Sequence, residues 1–588
     1  MCGIIGIVGI DGKNVANNII SGLEKLEYRG YDSAGIAVVC DRRIEKLRAV
    51  GKLQNLKTKL EGNPISGSVG IGHTRWATHG KPTENNAHPI TSEGVAVVHN
   101  GIIENYRELK FDLQKDGFIF ETETDTEVIA HLLQREINNG CSLCKAFQKV
   151  LDLIEGSYAI AAIFSSFPNT LVAARHKSPL AVGFGEKHIC VGSDVSAMSA
   201  VCCDVIYLED GEWVKIADGN ATFFDKNSNP IEPVKQKISD DLISIEKGEY
   251  AHYMLKEIME QPSAIRKTIL YNKIDKEIFH DISRILILAC GTSYYAGMVA
   301  KYWFEKFLKI PVDVEIASEY RYRSPIIGKN TLAIAITQSG ETIDTLEALE
   351  YVRKNSNSRV VAIANVKNSA ISRVSDFVFY TEAGIEVGVA STKAFTAQLV
   401  ILARMAFGNH EFLMREFQNL PAICEEALDL NDEMKHLAQR IHTANSAIYL
   451  GRGSLYPISL EGALKLKEIS YVHAEGFAAG EMKHGPIALI DDNIPVICLC
   501  PHNELFEKTA SNIQVALARG KNIIIFTDSE GSKLLPSETT KIILPTIHSE
   551  FAPILYAIPL QLLAYNVALM RGTDVDKPRN LAKSVTVE

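Results

Sequence analysis

Residues 284–293 read Arg-Ile-Leu-Ile-Leu-Ala-Cys-Gly-Thr-Ser, an apolar strand running into a glycine-containing turn with a helix pattern behind it. Ala447-Ile-Tyr-Leu450, followed by Arg452-Gly-Ser-Leu-Tyr456, repeats that arrangement at an offset of 162 residues from Ile285. Strands that are apolar on both faces and alternate with helices belong to parallel sheets covered on both sides. Thr331-Leu-Ala-Ile-Ala-Ile336, Val360-Val-Ala-Ile-Ala364 and Phe377-Val-Phe-Tyr380 continue the first set. Ile494-Pro-Val-Ile-Cys-Leu499 and Asn522-Ile-Ile-Ile-Phe526 stand where the second set requires its strands. The recurrence predicts an internal duplication of a doubly wound α/β domain.

Upstream the texture differs. Apolar runs at residues 4–8, 35–40, 69–73, 95–99, 159–164 and 171–175 are unevenly spaced, and helix patterns at 15–26, 106–116, 126–137 and 143–154 are grouped between them. That favours a layered α+β unit. A polar stretch follows at 235–248, then a helix pattern through Met254, Ile258 and Met259. The expected organisation is a first domain at 1–238, a linker at 239–248, two α/β domains at 249–430 and 431–575, and a tail at 576–588.

A chain of 588 residues is long enough for several cores. Its net charge of −10 and lack of a basic run argue against a nucleic-acid partner. No basic segment leads into an apolar stretch at the start, so no secretory leader is expected. The apolar stretch 551–570 contains Pro553, Pro559, Gln561 and Asn566, which reads as a buried core helix and not a membrane span. Eleven scattered cysteines fit a reducing cytoplasm. Cys141-x-x-Cys144 has no second ligand pair, the histidines do not cluster at ligand spacing, and no nucleotide or flavin fingerprint occurs. Neither a metal nor a cofactor is expected.

Cys2 is the first chemical candidate. Once Met1 is removed it carries a thiol and a free α-amine on one residue, a nucleophile with its own base. It also heads an apolar strand, where a buried cysteine is common. In Gly72-His-Thr-Arg-Trp-Ala-Thr-His-Gly80, Arg75 suits a substrate carboxylate. Asn100-Gly101 offers an amide and a backbone N–H to an oxyanion, although Asn-Gly by itself signals a hairpin turn. Asp125 either caps the next helix or holds an ammonium.

Thr337-Gln-Ser-Gly-Glu-Thr342 follows a buried strand and opens a helix, a phosphate cradle without the lysine of a nucleotide loop. Cys290-Gly-Thr-Ser293 and Val389-Ala-Ser-Thr-Lys393 add two more hydroxyl-rich helix starts. One such loop is usually a cap; three in one domain favour a ligand site, suited to a sugar phosphate. The second half has Cys500-Pro-His-Asn503 instead, so the phosphate site belongs to the first half. Glu461, Lys465 and Glu468 share a helix face, and Glu475, Glu481 and His484 follow. Such pairs are usually solvated salt bridges, but a helix at a site-forming edge allows acid–base work. By composition residues 572–588 form a frayed tail.

Together these motifs closely resemble the isomerizing glutamine–fructose-6-phosphate aminotransferase (glucosamine-6-phosphate synthase) family, from Cys2-Gly3-Ile4 to Lys583-Ser584-Val585. The Cys-Gly-Ile start also opens other glutamine amidotransferases; the combination is specific. The resemblance implies an N-terminal-nucleophile glutaminase of αββα layers followed by two sugar-isomerase (SIS) domains, with glutamine and fructose 6-phosphate as substrates and a homodimer as the assembly. It implies that Cys2 attacks the glutamine amide, that Asn100 and Gly101 form the oxyanion hole, and that Arg75 and Asp125 clamp the α-carboxylate and α-ammonium. Thr78, His79 and His88 complete that site, and Trp76 resembles the gate of an internal ammonia passage. It further implies a sugar-phosphate site of Thr292, Ser293, Thr337, Gln338, Ser339 and Thr342, with Thr337 where many members have serine. Val389, Ala390 and Ser391 match the sugar-contacting loop. Glu468 matches the C1–C2 proton carrier, Lys465 its electrostatic companion, His484 the ring-opening group and Lys583 the Schiff-base lysine. Two readings from composition are thereby reversed, the Asn-Gly turn and the frayed tail.

An amidotransferase acting on another ketose phosphate is the neighbouring alternative. A sugar-phosphate sensor is the alternative of a different class; the absence of a basic helical module and the presence of Cys2, Glu468, His484 and Lys583 weigh against it.

Overall fold

The computed structural model describes residues 2–238, 247–408 and 410–586. The chain divides into two compact units, Met1–Ile245 with Ser584–Glu588, and Glu246–Lys583. The expected linker at 239–248 lies, over 239–246, outside the described residues.

The first unit is built on two antiparallel sheets. One has eight strands in the spatial order Gln236–Lys237, Asp204–Tyr207, Ala181–Phe184, His188–Gly192, Gly3–Gly9, Val69–Arg75, Ser33–Cys40, Arg43–Val50. The other has seven, in the order Pro230–Ile231, Asn220–Phe224, Trp213–Ala217, Thr170–His176, Gly156–Phe164, Val95–Ile103, Ile90–Ser92. Alternation along each strand gives both sheets an inner apolar face. Ile4, Val8, Ile71, Val98, Ala161 and Ile163 fill the space between the sheets. The outer face of the first sheet is covered by the helix Ala16–Leu26 through Ile19 and Leu23, that of the second by Glu127–Asn138 and Leu143–Leu153. The result is the four-layer helix–sheet–sheet–helix arrangement.

In the second unit two five-stranded sheets are wholly parallel. The first runs Val312–Ile316, Arg284–Ala289, Thr331–Ile336, Arg359–Ala364, Phe377–Tyr380; the second runs His473–Ala478, Ser446–Gly451, Val496–Leu499, Ile523–Asp528, Thr540–Leu544. Both therefore have the order 2-1-3-4-5, which reverses between the first and third strands. Ligands of open α/β sheets bind at the carboxyl ends of the strands flanking that switch point. In the first sheet those ends lead into Cys290-Gly-Thr-Ser293 and Thr337–Thr342, so topology brings two of the hydroxyl loops together.

The helix Ala552–Met570 is long and apolar enough to cross a membrane, yet all of residues 552–568 are buried inside the unit. The tail departs from its composition. Asp576 is buried; its carboxylate accepts the N–H groups of Tyr253 at 3.0 Å and Met254 at 2.8 Å, and so satisfies the start of the helix Tyr253–Met259.

Candidate active site

Cys2 precedes the strand Gly3–Gly9, which pairs with Val69–Arg75. That neighbour ends at Arg75, and the next residue meets the thiol. The Trp76 N–H donates to Cys2 Sγ at 3.3 Å, and Sγ lies 3.4 Å from the Trp76 carbonyl. Burial pushes the thiol above its ordinary pKa, against the Trp76 N–H and the Arg75 guanidinium, which draw it down. A thiol raised in this way needs a base to become a nucleophile.

Asn100 and Gly101 lie inside the strand Val95–Ile103, opposite Ala159 and Tyr158, so the pair is not a turn. Gly101 has φ +135°, and a Cβ there would fall 1.9 Å from the Ser157 carbonyl oxygen. The glycine lets the strand lie against that carbonyl. Asn100 Nδ2 donates to the Cys2 carbonyl at 3.0 Å.

Arg75 is only 3% exposed. Its guanidinium donates to the carbonyls of His79, Gly80 (3.2 Å) and Lys81 (3.3 Å), and it has no carboxylate in ion-pair contact among the described residues. A buried guanidinium without a carboxylate suits an anionic guest. Asp125 is also buried; its Oδ2 accepts the Ile103 N–H at 2.8 Å and does not cap the following helix. His88 accepts the His99 N–H at 3.3 Å and lies 3.2 Å from the Thr126 hydroxyl. His79 meets Tyr106 edge to face at 5.6 Å, Trp76 is half-buried and Thr78 is exposed.

Three buried histidines support this region. Burial pulls His73 down to about 3 and lowers His88 and His99 as well. Their folded pKa values lie below the unfolded value of about 6.5, so below that pH the unfolded chain binds protons that the folded chain does not. Stability therefore falls as pH drops through about 6.5 toward 3. The thermal midpoint of this unit is expected to decrease from about pH 7.5 to about pH 5, and a flat profile would contradict the three neutral rings.

In the second unit, Thr292 opens the helix Gly291–Phe307 at the switch point. Its hydroxyl accepts from Lys465 Nζ at 3.1 Å and donates to Glu461 Oε1 at 3.3 Å. Lys465 is buried, pairs with Glu461 at 3.4 Å and also contacts Glu468. Burial alone would depress the Lys465 ammonium, but the two carboxylates outweigh it and hold it above the usual lysine range. Burial raises Glu461 to about 7. Ser293 accepts from Gln398 Nε2 at 3.1 Å.

The cradle is ordered from within. Thr337 Oγ1 lies 2.9 Å from Thr342 Oγ1 and accepts the Gly340 N–H at 3.3 Å, while Ser339 Oγ accepts the Glu341 N–H at 3.1 Å. Gly340 has φ +69°, and a Cβ there would lie 2.0 Å from Ser369 Oγ, so this tight loop takes only glycine. The Gln338 carbonyl accepts the Asn365 N–H at 3.0 Å.

Lys583 is buried. Its Nζ donates to Glu386 Oε2 and to the Gly388 carbonyl at 2.8 Å. Glu386 also accepts the Ser391 hydroxyl at 3.1 Å and the N–H groups of Thr392 (2.9 Å) and Ala394 (3.1 Å). Burial would raise that carboxyl, but Lys583 and these donors outweigh it and hold it low. The Val389 N–H donates to the Asp576 carbonyl at 3.1 Å, and Ala390 is buried. One carboxylate thus joins the loop Val389-Ala-Ser391 to the tail lysine. Glu257 lies behind it, accepting the Val387 and Gly388 N–H groups at 2.5 and 3.1 Å, and is raised to about 8 by burial and by Glu386. His484 is different. It ends the short turn Glu481–His484, is exposed, and makes no hydrogen bond or ion pair among the described residues.

Sequence reasoning missed Glu386, Glu257, and His73 and His99 behind Asn100. Glu386 sits in an irregular stretch, and its partner lies 197 residues away, so no local pattern marks it. His73 and His99 read only as strand ends.

A SIS domain model matches residues 278–407 and 440–571, and a glutamine amidotransferase domain model matches 73–200. The chain is 47% identical over 611 aligned positions to the glutamine–fructose-6-phosphate aminotransferase [isomerizing] of Bradyrhizobium diazoefficiens, with all of both chains covered. It is 46% identical over 610 positions to the protein of that name from Brucella abortus, again with both chains fully covered. The solved C-terminal domain of glucosamine-fructose-6-phosphate aminotransferase from Francisella tularensis superposes with a TM-score of 0.55 at 46% identity, covering 57% of this chain and 100% of that one.

Proposed function

The chain belongs to the isomerizing glutamine–fructose-6-phosphate aminotransferases, and we propose that it makes D-glucosamine 6-phosphate and L-glutamate from D-fructose 6-phosphate and L-glutamine at two centres. This is the first step of amino-sugar biosynthesis. The domains are assigned as 1–238, 249–430, 431–575 and a catalytic tail from 576. At the first centre the Cys2 thiol, with its α-amine free, adds to the glutamine side-chain carbonyl. Asn100 and the Gly101 N–H stabilise the oxyanion. Ammonia leaves, and water hydrolyses the thioester to glutamate. Arg75 holds the α-carboxylate and Asp125 the α-ammonium, with Trp76, Thr78, His79 and His88 around them.

At the second centre Thr292, Ser293, Gln338, Ser339 and Thr342, with Thr337, hold the sugar phosphate. His484 opens the ring. Lys583 adds to the C2 ketone with loss of water, ammonia displaces the lysine from the imine, and Glu468 carries a proton from C1 to C2 beside Lys465. The observation that carries this reading is the Thr292 hydroxyl. It belongs to the loop at the switch point and is bonded to both Lys465 and Glu461, so a phosphate-type edge and a buried acid–base cluster share one residue. The family resemblance supports a homodimer, and eleven cysteines without a disulfide support a cytoplasmic setting.

The test is isotopic. With glutamine labelled at the amide nitrogen and excess unlabelled ammonium in the medium, the label is expected at C2 of glucosamine 6-phosphate, one for each glutamate formed. Full dilution of the label would show that ammonia is not passed within the protein.

A further inference from the structure

We infer that His73 is the positioning residue that fixes the orientation of the Asn100 carboxamide, so that its N–H bonds, and not its oxygen, face Cys2 and the developing oxyanion. The inference rests on the reading of Asn100 as part of the oxyanion hole.

An asparagine amide can sit in two orientations related by a half-turn, and only one of them presents donors. Here the surroundings allow one. On one side Asn100 Nδ2 lies 3.0 Å from the Cys2 carbonyl, which only accepts. On the other Asn100 Oδ1 lies 3.0 Å from His73 Nε2. That nitrogen is also 3.1 Å from the His99 main-chain carbonyl, again an acceptor only. His73 must therefore carry its hydrogen on Nε2. The polarity runs in one direction, from the fixed His99 carbonyl through His73 Nε2–H and Asn100 Oδ1 to the amide hydrogens. One of these reaches the Cys2 carbonyl and the other is left for substrate.

The ring is held in that state. His73 is fully buried, pairs across the sheet with Ile4 and Gly35, and stacks on His88 at 4.3 Å with an interplanar angle of 28°. Its Nδ1 is buried without a partner, so a proton there would bury an unsatisfied N–H. Burial holds the ring's pKa at about 3, which keeps it neutral at working pH. Without this donor only the Cys2 carbonyl, itself beside the reacting thiol, opposes the flipped amide, which turns its oxygen toward the oxyanion.

The test measures glutamine hydrolysis by the full chain. His73→Leu is expected to lower kcat roughly tenfold to a hundredfold with KM within about threefold, because oxyanion stabilisation is lost and ground-state binding is not. Affinity for an aldehyde analogue of glutamine, which forms a tetrahedral adduct with Cys2, should fall in parallel, while affinity for glutamate stays. His73→Gln, whose amide nitrogen reaches the Nε2 position, should recover most of kcat; His73→Asn, which is too short, should not. In the Asn100→Ala background the His73→Leu change should add less than about twofold. Full additivity of the two changes, or an unchanged kcat in His73→Leu, would overturn the inference. Should His73→Leu fail to fold, equal kcat in His73→Gln and His73→Asn would overturn it instead. An unaffected Asn100→Ala enzyme would remove the oxyanion reading itself and the inference with it.

Discussion

Replacing Cys2 by alanine is expected to end glutamine-dependent synthesis and to leave ammonia-dependent synthesis in place. The Cys2 sulfur, which accepts the Trp76 N–H, is the nucleophile in this reading, and without it the amide is left to unactivated water, a far weaker nucleophile than the thiolate. Glutamate formation should fall by a factor on the order of 10⁴ or more. Supplied ammonium bypasses that step. Thr292, Glu461, Lys465, Glu468, Glu386 and Lys583 all belong to the other compact unit, so the rate with saturating ammonium should stay within about twofold of the parent. Glutamate accumulating at the parental rate in Cys2→Ala would show that the thiol is not the nucleophile. The parent tests the chain start: the glutamine-active protein should have the mass of the chain without Met1, because a peptide bond at Cys2 ties up the proposed base.

The parts of this molecule that were legible in sequence are those whose cause is local. The parallel strands announce themselves because burial on both faces demands uninterrupted Leu, Ile, Val and Ala, as in Arg284–Ala289 and Thr331–Ile336. Their recurrence follows from the same rule, and the cradle is visible because its glycine and hydroxyls are adjacent. Arg43–Val50 carries no such signal: among the described residues it pairs only with Ser33–Cys40 at a sheet edge, so half of its residues are exposed, one is buried and no alternation is imposed. Asn100-Gly101 misleads when read alone, since turn propensity gives way to nine-residue pairing with Gly156–Phe164, and Gly101 serves close approach and not chain reversal. The tail misleads for a similar reason. Its polar residues find buried partners, Asp576 at a helix start and Lys583 at Glu386, that lie hundreds of residues earlier. The resemblance supplied what such long-range partners conceal, while His484 remains at the surface, away from any partner among the described residues.

Lys583→Arg should abolish synthesis from either nitrogen source, which separates the second centre from the first. The ε-amine is buried between the Glu386 carboxylate and the Gly388 carbonyl, two acceptors that orient it and tie it to the loop carrying Val389, Ala390 and Ser391. Arginine keeps a cation for Glu386, so the buried carboxylate is not left unpaired, a loss that alone costs several kcal/mol, about 3–5 for a buried pair. Yet a guanidinium does not deprotonate in a protein and forms no imine with a ketone. Glucosamine 6-phosphate formation with glutamine or with ammonium should therefore fall by a factor on the order of 10³ or more. Borohydride added with fructose 6-phosphate should fix the sugar phosphate to the parent at Lys583, adding its mass to the peptide that carries that residue, and should leave the variant unlabelled. Binding of the sugar phosphate should survive, because the hydroxyls of Thr292, Ser339 and Thr342 are untouched. A variant that still makes product from ammonium, or a label found on another lysine, would move the Schiff base elsewhere. Loss of sugar binding together with activity would mean that Lys583 acts through the loop, holding Glu386 and Ser391 in place, and not through its own nitrogen.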